Sequence, residues 1–140
     1  PDVLEFLFNK IPENVIIVLD LAYTEYMDEA VKPPITQWLK KFPNLLITQT
    51  FSKVYALAGL RIGYSVSNPE IADLLNRVRQ PFNTNMLAQT AAIASLADDE
   101  HIVKSVAMNN AGKKYLKSAF TEMGLSYLPT MGNFIWVNVK

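Results

Sequence analysis

The sequence predicts an α/β fold, and three observations carry that reading. Val15-Ile16-Ile17-Val18-Leu19 is an unbroken apolar run rich in β-branched residues, the pattern of a strand buried on both faces of a parallel sheet. A second apolar run, Leu45 to Thr48, passes into the polar stretch Gln49-Thr50-Phe51-Ser52-Lys53. Between them Ile35 to Phe42 reads as a brief helix closed by Pro43, and strand, helix, strand along a chain argues an α/β sheet.

The remaining elements follow in order. Asp2 to Lys10 carries apolar residues at Val3, Leu4, Phe6, Leu7 and Phe8, a short helix that stops before Pro12. The first strand ends at Asp20, and Pro33-Pro34 punctuates the chain before the next helix. Arg61 to Ser67 alternates more and predicts a third strand. After Asn68, Pro69 occupies a first-turn position, and Ile71, Leu74, Leu75 and Val78 recur at helical spacing until Pro81. Thr84 to Leu96 predicts a second, Ala-rich helix. Asp98 or Asp99 caps a long third helix running to Met123, with Gly124 as its stop. Gly112 inside it costs about 1 kcal/mol against Ala. Leu128 to Thr130 is a short link, and Phe134 to Val139 reads as a last strand with nothing obvious to pair it. There is no internal repeat or low-complexity segment.

Length and composition bound the function. The 140 residues fit one modest domain or parts of two. Half are apolar and 19% are charged, an ordinary globular composition. The 13 basic and 13 acidic side chains cancel, so there is no electrostatic footprint for nucleic acid or an anionic membrane, and a small-molecule partner fits better. The absence of cysteine excludes disulfides and thiolate metal sites. A single histidine, His101, leaves no His cluster for zinc and no obvious Ser-His dyad. Beside Asp98, Asp99 and Glu100 it is expected to face solvent. No apolar run approaches the ~18 residues of a membrane span. No signal peptide opens the chain, and Pro1 in place of an initiator Met leaves the true start open. Cytoplasm is the expected compartment.

In an open α/β sheet, ligands gather outside the carboxyl ends of the strands. Asp20 ends the first strand. Thr50, Ser52 and Lys53 follow the second, with Arg61 eight residues beyond the lysine. A carboxylate, two hydroxyls, an amine and a guanidinium are thus expected in one crevice, a set that matches the needs of pyridoxal phosphate. Its aldehyde needs a lysine for a Schiff base, and its phosphate needs hydroxyls and a guanidinium. Its ring nitrogen needs a carboxylate to stay protonated. Tyr23, three residues past Asp20, is placed to donate to its phenolic oxygen.

Plainer readings stand beside these. Ser-Lys followed by Gly and Arg is common by chance. Asp at a strand end is often a helix cap, although no helix clearly begins after Asp20. Tyr26, Trp38 and Trp136 read as packing, and Met86, Met108 and Met123 as helix core or interface filler. Gly59 and Gly63 around Arg61 suggest close backbone approach in favour of a bound anion. Arg77 and Arg79 form either a solvated face or a contact near the site.

The stretch Thr50-Phe51-Ser52-Lys53-Val54-Tyr55-Ala56-Leu57-Ala58-Gly59-Leu60-Arg61-Ile62-Gly63-Tyr64 resembles the lysine motif of the fold-type I, class I/II aminotransferases. Val18-Leu19-Asp20-Leu21-Ala22-Tyr23-Thr24-Glu25-Tyr26 resembles their upstream Asp-x-Ala-Tyr segment. Arg77-Val78-Arg79-Gln80-Pro81-Phe82-Asn83-Thr84-Asn85 is similar to a stretch typical of the histidinol-phosphate aminotransferases within that family. Gly132-Asn133-Phe134 resembles the Gly-Asn-Phe that opens a strand of their small domain. The resemblance covers essentially the whole chain, in order.

It implies a large-domain sheet that is mixed and mostly parallel, flanked by helices. Residues 1–97 would belong to the later part of that pyridoxal-phosphate domain, and 98–140 to a connecting helix and the start of a small α/β domain. Lys53 would hold the cofactor and shuttle a proton. Asp20 would pair with the ring nitrogen, Tyr23 with the phenolic oxygen, and Ser52, Arg61 and Thr50 with the phosphate; Asn133 would lie on the substrate side. The implied reaction is transamination between histidinol phosphate and 2-oxoglutarate in a homodimer. Alternatives are an aromatic aminotransferase, a threonine-phosphate decarboxylase, or a non-catalytic fragment. Two departures stand out. Leu21 replaces the usual Glu, and the Gly-rich phosphate loop, a stacking asparagine and a substrate arginine are absent from these residues.

Overall fold

A parallel strand pair joined through a helix lays down the frame. In the computed structural model, which describes residues 1–139, β1 (Ile17–Asp20) pairs in parallel with β2 (Leu45–Thr50), from Ile17 opposite Leu45 to Asp20 opposite Thr48. The crossover carries α2 (Ile35–Lys41), and α1 (Asp2–Phe8) precedes the unit. The third strand, β3 (Gly63–Ser67), lies on the other side of β2 and runs antiparallel to it. No crossover helix separates β2 from β3, only the loop 51–62, so the chain must turn back on itself. The sheet is therefore mixed, with one parallel and one antiparallel pairing. Three helices follow: α3 (Pro69–Val78), α4 (Met86–Leu96) and α5 (Asp99–Glu122).

The core fills one face of the sheet. Phe8, Ile17, Leu21, Trp38, Phe42, Leu45 and Ile47 form one buried cluster. Phe8 meets Trp38 and Phe42 edge-on, at 5.2 and 5.5 Å between ring centroids, a geometry aromatic quadrupoles favour. Glu5 joins α1 to α2, because its carboxylate accepts from Trp38 Nε1 at 2.9 Å and from Lys41 Nζ at 2.5 Å. Asn44, also buried, donates to the carbonyl of Val15 at 2.8 Å and so ties the entry of β1 to that of β2.

Several sequence expectations need correction. β1 is not buried on both faces: Ile17 is covered, but Val18 is 60% exposed. It is the edge strand of this sheet, and the described residues cover only one of its faces. Trp38 packs as expected, whereas Trp136 is exposed; Met86, Met108 and Met123 are exposed too, which removes them from the core. α4 starts at Met86 rather than Thr84, because the Asn85 side chain accepts from Ala88 N at 2.8 Å and caps the helix there. Phe134 to Val139 forms no strand. A single antiparallel bridge joins Val137 to Tyr127, flanked by Leu128 N to Trp136 O (3.0 Å) and Asn138 N to Ser126 O (2.9 Å). The segment preceding it is the partner that the sequence did not reveal, and its shortness limits the ladder.

Other boundaries agree with the sequence. Asn68 caps α3 with Pro69 in its first turn, and Asp98 caps α5. Gly124, at φ +69°, closes α5 in the left-handed region that glycine adopts without penalty. Gly112 is carried within the helix without a break.

Candidate active site

Parallel pairing sets the carboxyl ends of β1 and β2 side by side, and the antiparallel return brings the amino end of β3 to the same edge. Asp20 is opposite Thr48, and Thr50 is opposite Gly63. A cleft of about 400 Å³ opens there, lined by Asp20, Ala22, Thr48, Gln49, Thr50, Ser52, Lys53 and Arg61. Asp20, Thr50, Ser52, Lys53 and Arg61 were all expected in it from the sequence. Thr48, Gln49 and Ala22 were not, although the first two sit at the same strand end as Thr50.

Local backbone chemistry aims these side chains. Asp20 Oδ1 accepts from Ala22 N at 3.0 Å, an Asx-type turn that bends the chain out of β1. The carboxylate is no helix cap, since the single 3-10 turn at Thr24–Tyr26 has no side-chain cap. Thr50 Oγ1 accepts from Ser52 N at 3.1 Å and bends β2 into the lysine loop in the same way. Within the loop, Ala56 N donates to Lys53 O at 3.0 Å and Leu57 N to Phe51 O at 2.9 Å.

Two non-glycine residues of the loop, Ala56 (φ +58°) and Arg61 (φ +52°), take the left-handed conformation. Strain of this kind persists only where surrounding structure fixes it, and it clusters at ligand clamps. Arg61 Nη1 donates to Ala58 O at 2.8 Å, which fixes the guanidinium at the cleft and leaves other N–H groups for an anion. Gly63 has a different cause from the anion expected in the sequence. A Cβ there would stand 2.7 Å from Gln49 O, so glycine permits the close approach of β2 and β3. Gly59 meets nothing within 4 Å.

Tyr23 and Asn133 stand beside the cleft. Lys53 Nζ lies 5.3 Å from the centroid of the Tyr23 ring, which also meets Phe134 edge-on at 5.4 Å. Gly132 is buried against both rings; a Cβ on it would come within 2.8 Å of Phe134 and 3.3 Å of Tyr23. The segment 132–134 thus returns to the Lys53 side of the molecule. Asn133 hydrogen-bonds the Tyr26 side chain. Tyr26 itself is buried, as expected of a packing residue. Burial, and then the charge of Glu25, push its hydroxyl pKa up. Burial likewise raises the Glu25 carboxyl.

His101 does not face solvent. Its Nε2 lies 2.9 Å from Val54 O, in the residue after Lys53. Arg77 and Arg79 are spent outside the cleft, on Asp73 (2.5 Å) and on Asn76 and Asn83 (2.6 and 3.2 Å). Leu21, at the position usually held by Glu, is 4% exposed and belongs to the core. Among the described residues no group of three His, Cys, Asp or Glu could hold a metal, and no helix is long and apolar enough to cross a membrane.

Comparison with known proteins identifies relatives of this chain. The family model of class I and II aminotransferases matches residues 1–140. The chain is 53% identical over 139 residues to a histidinol-phosphate aminotransferase 1 of Nitrosococcus oceani, covering 99% of this chain and 38% of that protein. Its fold is similar, at a TM-score of 0.89 and 34% identity, to the crystal structure of histidinol-phosphate aminotransferase from Sinorhizobium meliloti in complex with pyridoxal-5'-phosphate. That match covers 97% of this chain and 36% of that one. A weaker likeness, TM-score 0.75 at 25% identity, joins it to the L-threonine-O-3-phosphate decarboxylase of Porphyromonas gingivalis, covering 94% and 39% of the two chains. The chain spans less than two fifths of the length of each of these relatives.

Proposed function

The chain belongs to the aminotransferase class I and II family, and from that premise we propose that the full-length protein carrying it is a pyridoxal-phosphate-dependent aminotransferase acting on histidinol phosphate and 2-oxoglutarate. One observation carries the proposal: Asp20, Ser52, Lys53 and Arg61 line one cleft, with Lys53 against the Tyr23 ring. An amine, a carboxylate, hydroxyls and a guanidinium at one strand edge fit the polar groups around that cofactor. Bound there, the cofactor supplies an electron-withdrawing ring that acidifies the Cα–H of an amino acid.

The residues divide the work by chemistry. Lys53 Nζ would hold the cofactor through its aldehyde group, and the same amine would move the proton of the substrate Cα. The Asp20 carboxylate would pair with the ring N–H, and the Tyr23 hydroxyl would donate to the phenolic oxygen. Ser52 and Arg61 would hold the phosphate. Thr50 assists them chiefly by shaping the turn into Ser52. Asn133 serves the substrate side through the segment that packs on Tyr23. Residues 1–97 form the later part of a large domain and 98–140 the beginning of a small one. The full-length protein works as a homodimer in the cytoplasm on small-molecule substrates.

The substrate assignment is supported by the name of the 53% identical relative. The test is glutamate formation by the full-length protein from histidinol phosphate and 2-oxoglutarate, alongside aromatic amino acids and phosphothreonine. Turnover with histidinol phosphate that disappears in Lys53→Ala supports the reading. Carbon dioxide release from phosphothreonine without amino transfer would replace it with the decarboxylase reading. The 140-residue chain alone, mixed with pyridoxal phosphate, shows by a visible absorption band whether it retains binding.

A further inference from the structure

We propose that His101 is a positioning residue for Lys53, acting through the carbonyl of Val54. The contact joins residues far apart in the chain. His101 Nε2 lies 2.9 Å from Val54 O across a separation of 47 residues. A carbonyl oxygen can only accept, so Nε2 carries the proton and donates it. Ser105, one helical turn along α5, has its Oγ 3.3 Å from the same nitrogen and serves as a second acceptor. Of the two neutral tautomers, the contact selects the one protonated at Nε2.

Both ends of the contact are held. The His101 backbone N–H donates to Asp98 Oδ1 at 3.0 Å, which fixes the first turn of α5. Val54 is 2% exposed, so its carbonyl depends on a protein donor. The carbonyls of Phe51 and Lys53 are satisfied by amides of the loop itself, Leu57 and Ala56. That of Val54 is reached instead from α5. The loop also holds Ala56 at φ +58°, a conformation that needs external support. The imidazole thus fixes the Val54–Tyr55 peptide, one residue beyond Lys53, and through it the course of the loop from which the lysine projects. It touches neither the cleft nor Lys53 Nζ.

This rests on the reading of Lys53 given above, and the experiment separates the two. Full-length protein is freed of cofactor and mixed with pyridoxal phosphate. The rate of appearance of the visible band and its pH midpoint are then compared among wild type, His101→Gln, His101→Asn and His101→Leu. Gln places an amide N–H near the position of Nε2; Asn carries the same group but falls short. The expected result is band formation slowed about tenfold in Asn and Leu, the scale of a reacting group displaced by a fraction of an ångström. A band midpoint moved by about half a unit should accompany it, as the surroundings of the lysine change. His101→Gln should restore both.

A lower thermal midpoint in Asn and Leu with unchanged rate and band midpoint overturns the proposal, since a merely structural tether does that. Failure of Gln to restore the rate overturns it as well. Loss of the aromatic ring affects Gln and Asn alike, so their comparison holds even where the ring matters for folding. A wild-type protein that forms no band at all sinks the reading of Lys53 itself.

Discussion

Lys53 Nζ sits 5.3 Å from the centroid of the Tyr23 ring, and that ring packs against Phe134 at 5.4 Å. Tyr23 therefore has two separable roles: its face confines the lysine, and its hydroxyl is the proposed donor to the cofactor. Tyr23→Phe keeps the face and removes the hydroxyl. A hydrogen bond to a charged group is worth about 1.5–3 kcal/mol, so kcat/KM is expected to fall about 10- to 100-fold with little change in Tm. Tyr23→Ala should lower both. Full activity in Tyr23→Phe would remove the hydroxyl from the mechanism.

Asp20 also has a structural and a chemical role that one substitution divides. Its Oδ1 accepts from Ala22 N at 3.0 Å, and an amide oxygen can do the same. Asp20→Asn is expected to alter stability by less than about 0.5 kcal/mol. Activity should fall about 100-fold or more, because the charge that holds the ring nitrogen protonated is gone. Steady-state kinetics beside urea denaturation measures both. Loss of stability and activity together would mean that the turn, rather than the charge, is what matters.

Much of this site was legible in the sequence because the rules involved are local. An unbroken apolar run ending in Asp20, and a second ending in Thr50, locate two strand ends, and parallel pairing then brings them together. What escaped depends on packing between distant segments. Whether Val18 is covered is decided by what lies over the sheet, and no pattern within β1 encodes that. Nothing near His101 announces Val54, 47 residues away. The three acidic neighbours of the histidine suggested solvent, and the helix direction decided otherwise. Gly63 stood out for close approach, and the neighbour that requires it is the Gln49 backbone. The bridge between Tyr127 and Val137 likewise has no signature in so short a pairing.

Gly63→Ala tests the close approach directly. The added Cβ would meet Gln49 O at 2.7 Å, and that oxygen belongs to the central strand and cannot swing aside. Overpacking of this kind costs about 1–3 kcal/mol, to be read as a lower urea midpoint. Because β3 begins two residues after Arg61, separation of the strands should also weaken phosphate binding. The expected signature is a raised dissociation constant for pyridoxal phosphate, with kcat of the saturated protein less affected. An unchanged urea midpoint would show that the strands separate freely.

Glu25 carries the pH prediction. Burial raises its carboxyl above the ordinary value of 4.5, against weaker opposing effects of its own backbone and Lys32. Its charge also helps to raise the hydroxyl pKa values of Tyr26, Tyr55 and Tyr64, for each of which burial is the larger cause. A folded-state pKa above the unfolded one means that folding favours the protonated form. The stability contributed by that proton is fully present below about pH 4.5 and is lost as pH rises through the folded value. At neutral pH the ionised carboxylate therefore opposes folding. Glu25→Gln keeps the shape and removes the charge. Urea midpoints should be closest for the two proteins at the acid end and should diverge in favour of Gln as pH rises. The tyrosine hydroxyls should ionise at lower pH in the variant, read by tyrosinate absorbance. A variant no more stable than wild type at neutral pH would mean that Glu25 finds compensation for its burial once ionised, with Lys32 the nearest candidate to supply it.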